Sequence, residues 1–247
     1  MNSGLEPEWS AAGPLPAMQA HALWAETYDD GTNPLLALEE RAMEPLLPEL
    51  TDKFVLDVAC GTGRWLARLL SRGAGYGVGV DISQEMLQVA FAKPALAGAL
   101  VRADCLTLPL PSTSIHMSLC SFAVSYIPDL AALASEFARI SRPGAHVLVS
   151  DFHPEGHRRG WKRSFHWGGR AIEIASFAYS MGTIGEAFEQ SGFALMQKME
   201  PHIDEPERII FERAGKLSMF DSIRGVPAIF ILDFQFAGRC CDPSEKK

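Results

Sequence analysis

A glycine-containing turn between an apolar run and a helical segment constrains the fold of this chain most. Phe54 to Val58 is an apolar run of strand length, interrupted only by Asp57. Gly61 and Gly63 follow, and glycine allows turn conformations and a close approach of a ligand to the backbone. After the turn, apolar side chains recur at helical spacing: Trp65, Leu66, Leu69 and Leu70. A strand, a glycine turn and a helix start leave backbone N–H groups free to bind a nucleotide-type ligand.

The rest of the chain alternates strand-length apolar runs with helical patterns. Strands are predicted at residues 75–80, 100–103, 115–120, 146–150, 193–199 and 228–236. Helices are predicted at residues 18–28, 34–47, 83–90, 129–140, 184–190 and 206–217. This alternation predicts an α/β fold, with a doubly wound, mostly parallel sheet. The boundaries predict a disordered tail over 1–17, one domain over 18–238 and a second tail over 239–247.

Two stretches resemble motifs of the class I S-adenosylmethionine (SAM)-dependent methyltransferases. Residues 57–63 resemble that family's acid-x-Gly-x-Gly-x-Gly motif, with Ala59 in place of the first glycine. The run Glu136-x-x-Arg139-Ile140-x-Arg142-Pro143-Gly144 resembles the segment before the family's fifth strand. The resemblance implies a Rossmann-like methyltransferase fold of seven strands, with the last strand antiparallel between strands five and six. It also implies SAM as cofactor and S-adenosylhomocysteine (SAH) as product.

The resemblance also assigns roles to side chains near the strand ends. Asp81 lies 24 positions after Asp57, where an acid at the tip of the next strand accepts hydrogen bonds from ribose hydroxyls. Asp104 is expected at the adenine amino group, and Tyr28 over the methionine part. The alternatives are a helix cap for Asp81, a turn for Asp104 and a surface helix ending at Tyr28. The expected cofactor residues are Tyr28, Asp57, Ala59, Cys60, Gly61, Gly63, Asp81, Ile82, Ala103, Asp104, Cys105, Ser121 and Phe122.

Residues 153–170 form a basic, aromatic stretch in an otherwise acidic chain. They contain five arginine or lysine residues and one acid, and Gly168-Gly169 predicts a hairpin turn. We interpret residues 152–180 as an insertion that covers the active site. Arginine binds carboxylate or phosphate through paired donors, and tryptophan excludes water, so an anionic or aromatic substrate is expected. The expected substrate residues are Trp161, Lys162, Arg163 and Arg170; the alternative is a solvated basic loop whose aromatic side chains pack in the core.

His153 and Tyr126 are the candidate catalytic residues. His153 follows the fifth strand and can titrate near neutrality, so it could act as a general base. The alternative for His153 is a loop residue hydrogen-bonded to backbone. No metal is expected, since the histidines of this region lack a helical i, i+4 pair.

Composition narrows the partners and the compartment. A formal net charge of −8 argues against non-specific binding to nucleic acid. No run of 18 apolar residues occurs and the first 20 residues do not resemble a signal peptide, so no membrane association is expected. The five cysteines, including Cys240-Cys241, contain no C-x-x-C pair, which favours a reducing cytoplasm. The expected partner is a small-molecule substrate, with a possible homodimer.

Three functions fit these patterns. The first is SAM-dependent methyl transfer to a small acceptor, either anionic or aromatic. The second is an NAD-dependent oxidoreductase, although Leu66 stands where Gly-x-Gly-x-x-Gly requires its third glycine. The third is a SAM-binding regulatory protein without catalysis. The sequence does not identify the acceptor.

Overall fold

The strands combine into one seven-stranded mixed sheet and one separate hairpin. The computed structural model describes residues 13–31 and 33–238. The strands are β1 Phe54–Val58, β2 Tyr76–Asp81, β3 Leu100–Arg102, β4 Ile115–Ser121, β5 Ser141–Phe152, β6 Ser164–Trp167, β7 Arg170–Glu173, β8 Phe193–Met199 and β9 Ile229–Phe236. The helices are α1 Ala17–Trp24, α2 Pro34–Met43, α3 Arg64–Ser71, α4 Gln84–Phe91, α5 Leu130–Ile140, α6 Pro154–Arg158, α7 Met181–Gln190, α8 Glu205–Arg213 and α9 Leu217–Ile223.

The strand order of the large sheet is β3-β2-β1-β4-β5-β9-β8. The pairs β1–β2, β2–β3, β1–β4 and β4–β5 are parallel, whereas β9 runs antiparallel to both β5 and β8. The last strand is therefore inserted between the fifth and sixth strands of the sheet. This topology confirms the predicted fold class.

Alternation of apolar side chains along the central strands supplies a core on each face of the sheet. Leu56 and Val58 of β1 pack in one buried cluster, which includes Phe137 of α5 and Phe188 of α7. Val55, the residue before Leu56, packs in the other cluster, with apolar residues of α2, α3, α8 and α9. Successive side chains of a strand point to opposite faces, so a two-sided apolar strand requires helices on both sides.

The region after β5 contains the predicted hairpin and a short helix. β6 pairs antiparallel with β7, and Gly168 and Gly169 have φ values of 55° and 77° at the turn. Within the segment predicted as one helix at residues 206–217, α8 ends at Arg213 and a second helix, α9, begins at Leu217. Gly215, with φ 65°, lies between them, in a conformation that ends helices because glycine adopts it without strain.

The amino-terminal segment packs against the hairpin. Leu15 is 7% exposed; its N–H donates to the Glu173 carbonyl at 2.8 Å, and its carbonyl accepts from Ala175 N at 2.8 Å. The prediction of a disordered tail over 1–17 is therefore wrong for its last residues, because Leu15 is buried and hydrogen-bonded in the folded domain. Residues 1–12 and 239–247, with Cys240 and Cys241, lie outside the described residues. Among the helices of 13–31 and 33–238, none is both long enough and apolar enough to cross a bilayer.

Candidate functional site

A cavity of about 320 Å³ opens at the carboxyl ends of β1, β2, β3 and β4. Parallel strands converge there, and the strand order reverses between β1 and β4, which is where open α/β sheets bind ligands. Each strand end contributes to the wall: Ala59 and Gly61 after β1, Asp81 to Ser83 at β2, Asp104 to Leu106 after β3, and Ser121 to Ala123 at β4. α1 covers the cavity with Ala17, Met18 and His21.

The turn after β1 takes left-handed conformations at three positions. Ala59, Gly61 and Gly63 have φ values of 54°, 54° and 77°. A Cβ on Gly63 would lie 2.3 Å from Leu96 Cδ1, so only glycine fits there without a shift of Leu96. Ala59 occupies the position of the motif's first glycine and adopts the conformation that glycine accepts freely. This non-glycine strain in the cavity wall is typical of ligand sites.

Asp81 joins the tip of β2 to the turn after β1. Its Oδ2 accepts from Gly61 N at 2.7 Å, and its Oδ1 accepts from Ser83 N at 2.8 Å. Burial raises the pKa of Asp81, while these backbone N–H groups act in the opposite direction. Each carboxylate oxygen has a second lone pair, so Asp81 can still accept hydrogen bonds from a ligand in the cavity.

Asp57 lies behind the turn and supports it. Its Oδ2 accepts from Leu66 N at 3.0 Å, which fixes the first turn of α3, and the residue is 2% exposed. Burial raises the pKa of Asp57 to about 7. Asp57 does not line the cavity, so its place in the motif is explained by the geometry of the turn.

Asp57→Asn is expected to stabilise the protein more at pH 8 than at pH 5. Between about pH 4 and 7 the folded state keeps a proton that the unfolded chain has lost, so stability falls as the pH rises through this window. Asparagine does not ionise, and its oxygen can still accept from Leu66. The gain over the wild type should grow by roughly 2 kcal/mol between pH 5 and 8, measured by urea unfolding. A gain in the free energy of unfolding that does not depend on pH would contradict the raised pKa of Asp57. Asp30→Asn is the control, because Asp30 is exposed.

The wall of this cavity also combines two apolar side chains with an acid. Ile82 is 45% exposed, and Leu106 lines the cavity with it. Asp104 Oδ1 accepts from Leu106 N at 2.9 Å, so the predicted alternative of a turn is present, and Asp104 also faces the cavity. Apolar faces beside an acceptor suit a flat, nitrogen-rich ring.

A second cavity of about 110 Å³ adjoins the first. The two share four lining residues: His21, Tyr28, Phe122 and Tyr126. Phe122, at the end of β4, has φ 51°, a strained value for a bulky residue. The second cavity is also lined by Trp24, Phe152, Lys162, Arg163 and Ile174. These four shared side chains therefore form a common wall between the two cavities.

Arg163 is held in the second cavity by buried partners. Its guanidinium pairs with Asp151, which is 1% exposed at the end of β5. Arg163 Nη1 also donates to the Tyr126 hydroxyl at 3.2 Å, and the guanidinium carbon lies 5.1 Å from the Tyr126 ring centroid. Lys162 is paired as well, its Nζ 2.6 Å from Glu173 Oε2. Both cations of this wall are thus neutralised within the described structure.

Three side chains expected in catalysis or in substrate binding lie elsewhere. His153 is corrected: its Nδ1 accepts from Glu155 N at 3.0 Å and caps α6, and its Nε2 lies 3.1 Å from Glu200 Oε2. Both ring nitrogens are engaged and His153 lines neither cavity, as the alternative of a backbone-bonded loop residue anticipates. Trp161 packs edge-on against Phe152 at 6.0 Å, and Arg170 is exposed at the hairpin turn; neither lines these cavities.

His21 is the titratable residue among the lining residues that sequence reasoning missed. It packs edge-on against Tyr126, with ring centroids 4.9 Å apart, and lines both cavities. Burial, followed by the charge of Arg163, lowers the pKa of His21 to about 4. The sequence did contain a signal, since His21, Trp24 and Tyr28 recur at the i, i+3, i+7 spacing of one helix face.

Comparison with known proteins identifies the domain. Residues 55–144 match the family model described as a methyltransferase domain. The S-adenosylmethionine-dependent methyltransferase from Mesorhizobium loti superimposes with a TM-score of 0.65 at 24% identity, covering 82% of this chain and 100% of that one. Residues 55–144 thus match a methyltransferase domain, and the chain has the fold of that SAM-dependent methyltransferase.

Curated relatives are similar to this chain over part of their length. The biotin biosynthesis bifunctional protein BioHC of Cellvibrio japonicus is 25% identical over 194 residues, which are 78% of this chain and 37% of that protein. The demethylmenaquinone methyltransferase of Listeria monocytogenes is 29% identical over 143 residues, 56% of each chain. The chain thus spans between about a third and somewhat more than half of these relatives.

Most of the residues expected to bind a cofactor line the larger cavity. They are Tyr28, Ala59, Gly61, Asp81, Ile82, Asp104, Cys105, Ser121 and Phe122. The others, Asp57, Cys60, Gly63 and Ala103, lie outside its lining. The Cys60 thiol is buried against Gly79, and burial strongly raises its pKa, so it is unreactive.

Proposed function

We propose that the protein binds SAM in the larger cavity and transfers its methyl group to a small acceptor in the second. The observation that carries this proposal is the shared boundary of the two cavities, formed by His21, Tyr28, Phe122 and Tyr126. A methyl donor and an acceptor must meet at such a boundary, because the reacting atoms have to approach within about 3–3.5 Å.

The residues of the larger cavity fit the donor. Asp81 has free lone pairs for the ribose hydroxyls, Ile82 and Leu106 provide apolar faces for the adenine, and Tyr28 covers the end expected for the methionine part. SAM supplies a methyl group already activated by its positively charged sulfur. The protein has to bind and orient both molecules and exclude water, and α1 covers the cavity in a way that serves all three tasks.

The second cavity favours the aromatic over the anionic acceptor. Trp24, Phe122, Tyr126 and Phe152 line it, whereas its two cations already pair with Asp151 and Glu173. A multiply charged anion would have to compete with those carboxylates. A flat ring would stack on the aromatic walls instead. A cytoplasmic location and a possible homodimer stay predictions.

Incubation of the purified protein with SAM and a fractionated extract of small metabolites tests the proposal. Mass spectrometry should detect a product heavier than its precursor by one methylene unit, formed together with SAH. SAM binding without any product across aromatic and anionic fractions would contradict catalysis and favour the regulatory alternative.

Arg163→Ala is expected to lower kcat/KM for the acceptor at least about tenfold, equivalent to about 1.4 kcal/mol, with little change in SAM affinity. Arg163 lines the second cavity and not the larger one. Steady-state kinetics and calorimetric titration with SAM separate the two effects, at a temperature where circular dichroism shows the variant folded. Arg170→Ala is the matched control, since Arg170 is an exposed arginine of the same region that lines neither cavity. Equal loss of acceptor use and SAM binding would indicate a structural role only.

A further inference from the structure

His21 is placed where a proton of the acceptor would have to go. It lies on the shared boundary of the two cavities, beside Tyr126 and on the same helix face as Trp24. Among the described residues, no side chain forms a hydrogen bond with its ring nitrogens. The Ala17 carbonyl, one turn earlier on α1, faces the ring as a hydrogen-bond acceptor. A neutral imidazole bonded to a carbonyl through one nitrogen presents the other as an acceptor.

The protonation state of His21 suits this position. Desolvation and the Arg163 guanidinium lower the pKa of His21 to about 4, so the ring is uncharged at neutral pH. The charged and titratable groups around the second cavity are Arg163, Lys162, Tyr28 and Tyr126. The uncharged imidazole has a lone pair that can accept a proton, and the lowered pKa makes it a weaker base than a solvent-exposed histidine, so its role rests on its position between the two cavities.

The other candidates for proton acceptor around the second cavity are occupied or unsuitable. Burial raises the pKa of Tyr28 to about 12, so its hydroxyl stays protonated. The Asp151 carboxylate is used by Arg163 and by the N–H groups of Ser125 and Phe152. Glu173 pairs with Lys162. The Tyr126 hydroxyl accepts from Arg163, so among the described residues that line the second cavity His21 is the remaining base.

The size and lining of the second cavity define the acceptor. The second cavity, at about 110 Å³, is smaller than an apolar cavity of about 150 Å³ that holds benzene, so it admits no acceptor larger than a single ring. Its aromatic walls and internally paired cations favour a flat, uncharged molecule. Such a molecule must lose a proton in order to be methylated on a hydroxyl.

We propose that His21 is a catalytic base and that the acceptor is a single-ring aromatic hydroxyl compound, a phenol. This inference rests on the proposed function. The acceptor O–H bond breaks, and its proton moves to the free ring nitrogen of His21. The electron pair left on oxygen forms the O–C bond to the methyl group as the C–S bond breaks, and that pair stays on sulfur. The products are an aryl methyl ether, neutral SAH and a protonated His21, which returns its proton to solvent.

The kinetic test compares two phenols in the wild type and in His21→Phe, which keeps a flat ring but no base. The probes are 4-methylphenol, which like tyrosine ionises near pH 10, and 4-nitrophenol, which is largely ionised in water at pH 8. For 4-methylphenol, kcat/KM should fall at least about 100-fold, as removal of a general base does. For 4-nitrophenol, which needs no base, it should stay close to wild type. His166→Phe, exposed on β6, is the matched control and should change neither value.

A binding measurement without turnover gives the second readout. With SAH present, the wild type should bind 4-methylphenol at least about fivefold more tightly than 4-methylanisole, which has no hydroxyl proton to donate to His21. His21→Phe should abolish this preference. Equal losses for both phenols, or an unchanged preference in the variant, would overturn the role of His21. Tight SAM binding with no phenol bound or methylated would overturn the inference and leave the proposed function standing, whereas absence of SAM binding would overturn both.

Discussion

Replacing Glu39 with alanine is expected to lower the free energy of unfolding by about 3–5 kcal/mol, the usual effect of breaking a buried ion pair. Glu39 is fully buried on α2 and pairs with Arg64, the first residue of α3. It also accepts from Trp65 Nε1 at 2.9 Å, from Ser121 Oγ at 2.7 Å and from Ser150 Oγ. One carboxylate therefore ties α2 to α3 and to the ends of β4 and β5. Alanine would leave the Arg64 charge and three polar groups without that partner.

Glu40→Gln is the matched control for this prediction. Glu40 is the next residue on α2, but its side chain is 38% exposed and pairs with Arg68 at the surface. Surface pairs contribute about 0–1 kcal/mol, so the control should unfold close to wild type in urea. Similar small losses for both variants would show that the buried network does not stabilise the domain.

Asp81→Ala is expected to weaken SAM binding at least about tenfold, or 1.5 kcal/mol or more, the low end for hydrogen bonds to a charged group. The variant loses the acceptors for the ribose hydroxyls, and it also frees Gly61 N and Ser83 N, which the carboxylate holds at 2.7 and 2.8 Å. The second effect loosens the turn that forms the cavity wall, so the total loss should exceed that of a single contact.

Calorimetric titration with SAM measures this loss directly. Glu85→Ala is the control, since Glu85 is exposed on α4 and is not among the residues that line the cavity. Circular dichroism should show both variants folded. Unchanged SAM affinity in Asp81→Ala would reject the ribose assignment.

The parts of the fold and site that lie at the carboxyl ends of the strands could be predicted from the sequence. Gly61 and Asp81 each follow an apolar run, and parallel strands in adjacent positions bring their ends together. The resemblance to class I methyltransferases supplied the antiparallel last strand, which local pattern alone does not specify. The hairpin followed from Gly168-Gly169, because glycine accepts the positive φ values of that turn.

The parts that depend on long-range packing could not be predicted. His21 reaches the site because α1 packs against the hairpin, through the pairing of Leu15 with Ile174. His153 was placed by its distance from the fifth strand, but its partner Glu200 lies 47 positions later in sequence. Arg163 carries a charge in the sequence, but the Asp151 that neutralises it is identified only when both side chains are seen together.

A crystal structure of the protein with SAH tests the central claim most directly. The account predicts electron density for SAH in the larger cavity, with both ribose hydroxyls on the Asp81 carboxylate and the sulfur beside the boundary that contains Phe122 and Tyr126. An empty cavity in those crystals, together with NAD bound at the same strand ends in a parallel soak, would contradict it.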